Sequence, residues 1–376
     1  MLKSKKIGFF KMGSFSHTNE KVKNILIENF PEYDIEVIDI WEDLISIKNP
    51  LLWFACFKDY FISDLIKRRT FVDSVYRTEF FFRLVREKAQ QLIQQKGYEF
   101  TFQTQSFFDV SFPGIANFLY TDHTHLANLY YPAFSPKKLY PQKWINLEKS
   151  VYNNAAINFT MSNHVSKSMY EHYNCPKEKI CNVYVGSNAG SAKTKLNHER
   201  YSKQNILFLG VAWERKGGPQ LVEAFKKVRE TLPNATLTIV GCSPEIDVKN
   251  CTIVGRIPLD QVNQYYQQAS VFCLPTRLEP FGIVFIEAFN NKLPIIASNI
   301  GAIPDFVHSG ENGYTVDPDD ITALAECLTI LLSNPKMCEE FGSAGYQLIK
   351  NRYTWEATGK RLRKEITQHL TNMKGN

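Results

Sequence analysis

The sequence predicts an α/β protein built as two halves, each holding a parallel sheet flanked by helices, and three observations carry that expectation. At 376 residues the chain exceeds the roughly 250–300 residues at which a single hydrophobic core stops growing, so two domains are expected. It opens on a strand, helix, strand pattern whose length suits a right-handed parallel crossover. A second α/β pattern starts at Asn205.

In chain order, KKIGFF reads as the first strand and a Gly/Ser loop follows at 11–16. A helix is predicted over 18–29 with Thr18 as its cap, then DIEVIDI as the second strand. Between Pro50 and Gln95 the chain turns helical and aromatic. FTFQTQ, ANFLYTD and AAINFTMS supply further short apolar strands. The polar stretch from Gly186 to Lys203 holds few apolar residues and is the expected linker. Beyond it NILFLG is a strand, WERKGG a loop, and GPQLVEAFKKVRETL a helix with Leu221, Val222, Phe225 and Val228 on one face. ATLTIVG, CTIVGR, VFCLP and LPIIAS follow as strands, interleaved with helical segments. The expected domains are 1–187 and 188–352, with a final helical segment, 353–376, that either finishes the second domain or crosses back onto the first.

Composition narrows the function classes. Hydrophobic content of 44% and charged content of 22% are ordinary for a globular chain and exclude disorder, whereas 27 Phe and 18 Tyr are many. A net charge of +6 suits nucleotide phosphates or a lipid surface, but it is too mild on this length to indicate nucleic acid. The eight cysteines form no CxxC pair and several sit in apolar runs, so they read as reduced core thiols of a cytoplasmic protein. The basic N-terminus leads into a polar helix rather than a cleavage site, and no signal peptide is expected. LLWFACFKDYFISDLI carries Lys58 and Asp59 in its middle and is too short and charged to span a bilayer. Over 51–88, Trp53, Phe54, Phe57, Tyr60 and Phe61, followed by Lys67, Arg68 and Arg69, read as core at helical spacing. The sharper expectation is an acceptor groove or peripheral contact with an anionic membrane at its inner face.

The chemistry concentrates in RLEPFGIVFIEAFNNKLPIIAS. A loop holds Glu279 and Pro280, and a helix starts near Phe281 or Gly282. The first residues of that helix, Phe281, Gly282, Ile283 and Val284, offer free N–H groups and a positive dipole end, which suits a phosphate. Glu287 lies eight residues beyond Glu279, roughly 10–12 Å along a helix axis, a span that suits a sugar at one end and a ribose at the other. Ionised carboxylates accept hydrogen bonds from vicinal diols. The plainer reading, in which Glu279 complements the helix dipole and Glu287 is a solvated helix residue, stays open, although Phe285 and Phe289 crowd Glu287 with apolar surface.

These residues resemble retaining glycosyltransferase family 4, the glycosyl transferases group 1 enzymes with the GT-B architecture of two Rossmann-like domains whose parallel sheets face across a cleft. The likeness rests on Glu279, Pro280, Phe281 and Gly282 followed by Glu287, and extends to LPIIASNIGAIPDFV, NGYTVDPDD and FLGVAWERKGG, covering most of 205–320. It implies that Lys216 and Arg215 clamp the donor diphosphate, and that backbone groups near Arg256 and Ile257 face the nucleobase. One departure is Val211, where the family has an arginine after the strand-ending glycine, so the division of labour between Arg215 and Lys216 is open. In the N-terminal half only Gly13 stands in KMGSFS where the family commonly has two glycines; an ordinary turn and a role beside the donor phosphate or acceptor are both open.

FLYTDHTHLANLYYP places Asp122, His123 and His125 at a strand's C-terminal end, where α/β sheets bind ligands. The resemblance puts Asp122 or His123 beside the reacting sugar, with an ordinary polar turn as the alternative. Two His and one Asp within four residues lack the spacing of a zinc motif, so no metal site is expected. Ser162 and His164 read as helix-capping residues. The resemblance thus implies metal-independent, retaining transfer from a nucleotide diphosphate sugar, bound as substrate with no separate cofactor, to an unidentified hydroxyl of a glycan, lipid or small molecule. Asp122, His123 and Glu279 are the candidate catalytic residues. Two competitors are phosphorolysis, for which no cofactor-bearing lysine stands out, and a nucleotide-sugar-binding protein of the same fold with weakened catalysis.

Overall fold

The computed structural model describes residues 5–15, 18–45, 50–63, 75–186 and 198–375. The chain divides into two compact units: Met1–Asn128 with Ser135–Val185 and Trp355–Asn376, and Leu129–Phe134 with Gly186–Thr354. Residues Leu129–Phe134, inside the expected first domain, therefore belong to the second unit.

The first unit holds β1 (Lys5–Lys11), β2 (Tyr33–Asp39), β3 (Phe100–Thr104), β4 (Ala116–Thr121), β5 (Ile157–Thr160) and β6 (Ile180–Asn182), in the sheet order β2-β1-β3-β4-β5-β6. Every pairing is parallel. Its helices are α1 (Thr18–Asn29), α2 (Pro50–Ser63), α3 (Glu79–Lys96), α4 (Gln142–Asn154) and α5 (Asn163–Tyr173). Positions in β3, β4 and β5 are buried throughout, as expected for parallel strands covered on both faces.

The aromatic excess has its place here. Register sets Phe9 opposite Phe102 and Phe102 opposite Phe118, and the Phe118 and Phe159 rings stack at 6.0 Å. Thr78 caps α3 by accepting from Phe81 N–H, and Gly97 closes it in a left-handed turn.

The second unit holds β7 (Asn205–Leu209), β8 (Thr236–Val240), β9 (Cys251–Gly255), β10 (Val271–Leu274), β11 (Ile295–Ser298) and β12 (Gly313–Val316), ordered β12-β11-β10-β7-β8-β9 and parallel throughout. Around it lie α6 (Gly218–Thr231), α7 (Val262–Gln268), α8 (Ile283–Asn290), α9 (Ile321–Leu332) and α10 (Pro335–Arg352). Counted from β7, this is the doubly wound order, and its reversal falls between β7 and β10, the position where such sheets bind ligands beyond the strands' carboxyl ends. The last helix, α11 (Trp355–Gly375), belongs to the first unit, where His369 meets Phe118 at 5.7 Å and Arg361 donates to Val183 C=O at 3.1 Å.

Several expectations need correction. The polar stretch from Gly186 to Lys203 is not a linker throughout: 187–197 lie outside the described residues, but His198–Lys203 is a 3-10 turn with Arg200 and Tyr201 buried. Polarity misled because Arg200 is satisfied by backbone carbonyls rather than by water. Thr18 opens α1 as a buried helical residue. Sequence patterning also overlooked β12 and β6, the latter three residues long and templated by its neighbour β5. In α2, Leu52 and Cys56 are buried while Phe54 is 75% and Phe57 48% exposed. The side chains of Tyr60 and Phe61, and Lys67, Arg68 and Arg69 entirely, lie outside the described residues. All eight cysteines carry free thiols, five of them buried. No helix among the described residues is long and apolar enough to cross a membrane.

Candidate functional site

The loops after β7 and β10 meet at the switch point of the second unit. Strand pairing of Val271 with Ile206 brings the two strand ends side by side, so residues 63 apart in sequence become neighbours. Lys216 closes the first loop, its N–H donating to Ala212 C=O at 2.9 Å. Its ammonium forms an ion pair with the Glu279 carboxylate, and the two residues are only 9% and 7% exposed. Arg215 is exposed; its guanidinium donates to Leu278 C=O at 2.7 Å, while its own carbonyl accepts from Arg277 N–H at 2.9 Å. The two basic residues divide accordingly, with Lys216 on the acidic side chain and Arg215 on the backbone that carries it. Val211, where an arginine was expected, is 60% exposed.

Two glycines permit this closeness. Gly217 takes φ +74, and a Cβ there would lie 1.9 Å from Pro275 C=O; Gly301, at φ +59, would set its Cβ 2.0 Å from Glu279 C=O. Both positions exclude a side chain. The Glu279 loop is therefore gripped from the β7 side and from the loop after β11.

Gly282 caps α8 in a left-handed conformation with no side chain on the first N–H groups. Phe281 turns its ring into the core, 5.7 Å from Phe306 and 6.3 Å from Tyr353, so only its backbone faces the loop side. Ile283 and Val284 form the first turn of α8 and are half-buried. Glu287, one turn on, accepts from Tyr266 Oη at 3.2 Å. Burial pushes its pKa above the ordinary carboxylate value, against the opposing effect of the Tyr266 bond. Arg256 and Ile257 follow Gly255 at the end of β9, exposed and half-buried respectively.

In the first unit, Gly13 lies in the loop after β1 at φ +62. Its N–H donates to Asp39 Oδ2 at 3.2 Å, and its carbonyl accepts from Asn19 Nδ2 at 2.7 Å. Burial of Asp39 opposes its ionisation, but Lys11 at 2.5 Å and the backbone donors hold its pKa below the usual range. Ser162 caps α5 through Val165 N–H. His164, in the first turn, has its pKa lowered to about 4 by burial and then by Lys167 and His172.

Asp122 and His123 follow β4 and are half-buried. The Asn128 Nδ2, a donor only, sits 3.0 Å from His123 Nε2, which makes Nε2 the acceptor and puts the ring proton on Nδ1. That Nδ1 is buried with no hydrogen-bond partner among the described residues. Burial, followed by the nearby His164, lowers the His123 pKa to about 4, so the ring is neutral at physiological pH. His125 is placed differently: its Nε2 accepts from Tyr140 N–H at 2.7 Å, and its own N–H donates to both Glu148 oxygens at 3.1 and 3.2 Å.

Sequence reasoning missed Glu148. It is 2% exposed and also accepts from Ser106 at 3.1 Å, Tyr152 at 2.9 Å and Tyr173, pinning the loop that carries His123. Its pKa is raised by burial against those donors. The available signal was Tyr152 one helical turn later. Among the described residues no group of three or more His, Cys, Asp or Glu is disposed to hold a metal.

Residues 193–348 match the family model of glycosyl transferases group 1. Over 182 residues the chain is 31% identical to phosphatidyl-myo-inositol mannosyltransferase of Mycobacterium leprae, covering 46% of this chain and 48% of that protein. Over 166 residues it is 28% identical to a GDP-mannose-dependent alpha-(1-6)-phosphatidylinositol monomannoside mannosyltransferase of Mycolicibacterium smegmatis, covering 39% and 44%. The chain thus spans about half the length of the curated relatives it matches. Sucrose-phosphate synthase of Thermosynechococcus elongatus superposes with a TM-score of 0.69 at 17% identity over 98% of this chain and 100% of that one. The lipopolysaccharide glycosyltransferase WaaG gives 0.63 at 14% identity over 96% and 99%. At such identities these likenesses establish the fold. Residues 193–348 are thus similar to the glycosyl transferases group 1 family, and the chain carries a GT-B fold.

Proposed function

We propose that the chain transfers a sugar from a nucleotide diphosphate sugar to a hydroxyl acceptor, with retention at the anomeric carbon and without a bound metal. The observation that carries this reading is the buried pairing of Lys216 with Glu279 at the β7/β10 switch point, beside the uncapped N-terminus of α8. A diphosphate leaving group gains negative charge as the glycosidic bond breaks, and groups that bind that charge more strongly in the transition state accelerate the step. Lys216, Arg215 and the first-turn N–H groups of Gly282, Ile283 and Val284 take that role. Glu279 accepts hydrogen bonds from the sugar hydroxyls, Glu287 from the ribose, and the backbone at Arg256 and Ile257 meets the base.

In the first unit we assign Asp122 or His123 to the reacting sugar and Gly13 to the phosphate or acceptor. No side chain acts as a covalent nucleophile; the acceptor hydroxyl attacks from the leaving-group face and its proton passes to the departing phosphate oxygen. Two of the similar proteins are mannosyltransferases, one of them GDP-mannose-dependent, so GDP-mannose belongs in the donor screen with UDP- and ADP-sugars.

Lys216→Ala and Glu279→Ala are each expected to lower turnover by about 100-fold or more at a temperature where circular dichroism shows the fold intact, with melting lowered by the charge left unpaired. Wild-type rates in both variants would refute the assignment. A protein that binds a nucleotide sugar yet neither hydrolyses nor transfers it across an acceptor panel is a binding protein instead.

A second, narrower reading concerns α2. The exposed Phe54 and Phe57 lie three residues apart on one helix face, and this favours peripheral contact with a lipid surface. Co-sedimentation with vesicles of mixed neutral and anionic lipid tests it; recovery of all the protein in the supernatant sinks it.

A further inference from the structure

We infer that Tyr266, locked in place by Arg200, is a positioning residue that presents the Glu287 carboxylate to the donor ribose; this rests on the reading of α8 proposed above. Arg200 is 1% exposed. Its Nη1 donates to the carbonyls of Tyr266 and Gln267 at 3.3 and 3.5 Å, at the end of α7. Its Nη2 donates to Asn291 and Lys292 C=O at 2.6 and 3.2 Å, just past α8, and to Tyr201 Oη at 2.9 Å. The last carbonyls of a helix lack intrahelical partners and carry the negative dipole end. One guanidinium therefore satisfies two helix termini at once. Tyr201 adds a bond to Lys292 C=O at 2.8 Å, and Ser270 Oγ holds the Arg200 carbonyl at 2.6 Å.

Between those two helices the buried Tyr266 side chain runs toward α8, its ring 5.7 Å from Phe272. Its hydroxyl lies 3.1 Å from Val284 C=O and 3.2 Å from Glu287 Oε2. A phenol carries one proton, and an ionised carboxylate is the stronger acceptor of the two, so the bond selects one orientation of Glu287. The other carboxylate oxygen is left to accept from a ligand. Main-chain anchoring of Glu287 comes from the same end of the helix, where Asn291 donates to its carbonyl from both N–H and Nδ2, at 3.2 and 3.0 Å. The chain of contacts runs from Arg200, through the backbone of α7, to the Tyr266 hydroxyl and the Glu287 carboxylate. Nothing in it touches the reacting atoms.

The test uses the full chain and calorimetric binding of UDP and GDP, each beside its 2′-deoxy form. The wild type is expected to prefer the ribose form of the base it accepts. Tyr266→Phe keeps the ring packing, so melting should stay near wild type while the preference shrinks about tenfold, the scale of one hydrogen bond to a charged group. Arg200→Lys should fall between wild type and Arg200→Met; if the Arg200 variants fail to fold, Tyr266→Phe alone decides. A purely structural tyrosine would lower melting and leave the preference intact. Loss of the preference in Glu287→Ala but its full retention in Tyr266→Phe overturns the inference and leaves the donor reading standing. A wild type without the preference, or a Glu287→Ala variant that keeps it, overturns the role of Glu287 itself.

Discussion

A methyl group at Gly301 would sit 2.0 Å from Glu279 C=O and 3.3 Å from Tyr131 Oη. Gly301→Ala must therefore displace the loop that carries Glu279, and if Glu279 positions the sugar as proposed, a shift of about 1 Å there costs on the order of 100-fold in rate. Steady-state kinetics at saturating donor, beside a melting curve, would separate that loss from unfolding. Glu287 makes a pH prediction with two signs. Its folded pKa is raised, so the native state holds the proton more tightly than the unfolded chain, and stability falls as pH rises from the ordinary Glu range through the raised value. Glu287→Gln should be more stable than wild type at pH 7 and equal to it near pH 4, by urea unfolding. Nucleotide affinity runs the other way, because ribose hydroxyls need an ionised acceptor: it should weaken as pH falls through the same range in wild type and stay flat in the variant. At this scale Glu279, Glu287, Arg215 and Lys216 were legible as candidates from type and spacing. Arg200 and Glu148 were not, since a buried charge satisfied by carbonyls or hydroxyls looks on paper like a solvated one.

Loops and helix ends decide behaviour at the next scale. His123 and His164 flank the ends of β4 and β5, and both have pKa values lowered to about 4. The unfolded chain takes up those protons near pH 6.5 and the native one does not. Stability of the first unit should therefore fall as pH drops from about 6.5 to about 4, and a His123→Asn/His164→Asn variant should lose most of that slope in urea unfolding followed across the range. The C-terminal helix supplies another test. Thr358, Leu362 and Ile366 of α11 are buried in the first unit, and His369 meets Phe118. A chain ending at Thr354 would bare that face, so it should bind a hydrophobic dye and lose cooperative melting of the first unit. Helices and strands were readable because apolar residues recur at 3.6 or 2 positions. Where α11 goes was left undecided between two destinations, because an amphipathic stripe records that a face is buried and not against what.

For the whole molecule, the strand orders matter most. In the second unit the reversal between β7 and β10 is what brings two ordinary loops together into the corner we propose for the donor diphosphate, and a ligand that binds only the folded state raises its stability by mass action. A thermal-shift panel of UDP, GDP and ADP should therefore raise melting with one base above the others, by an amount worth about 2.7 kcal/mol at 100-fold excess over Kd; equal, negligible shifts with all three would contradict a nucleotide site. The sequence by itself determined the α/β class, the two-part organisation, most strands and several of the helices, and the local motif around Glu279, because these depend on periodicity and on neighbours a few residues apart. Only the tertiary structure decided that Lys216 meets Glu279 across 63 residues, that Arg200 closes two helix ends, that Glu148 pins the His123 loop, and that 129–134 join the second unit while α11 joins the first. Those outcomes depend on which strands lie side by side and where the crossovers land, which many sequences with the same periodic pattern could arrange differently.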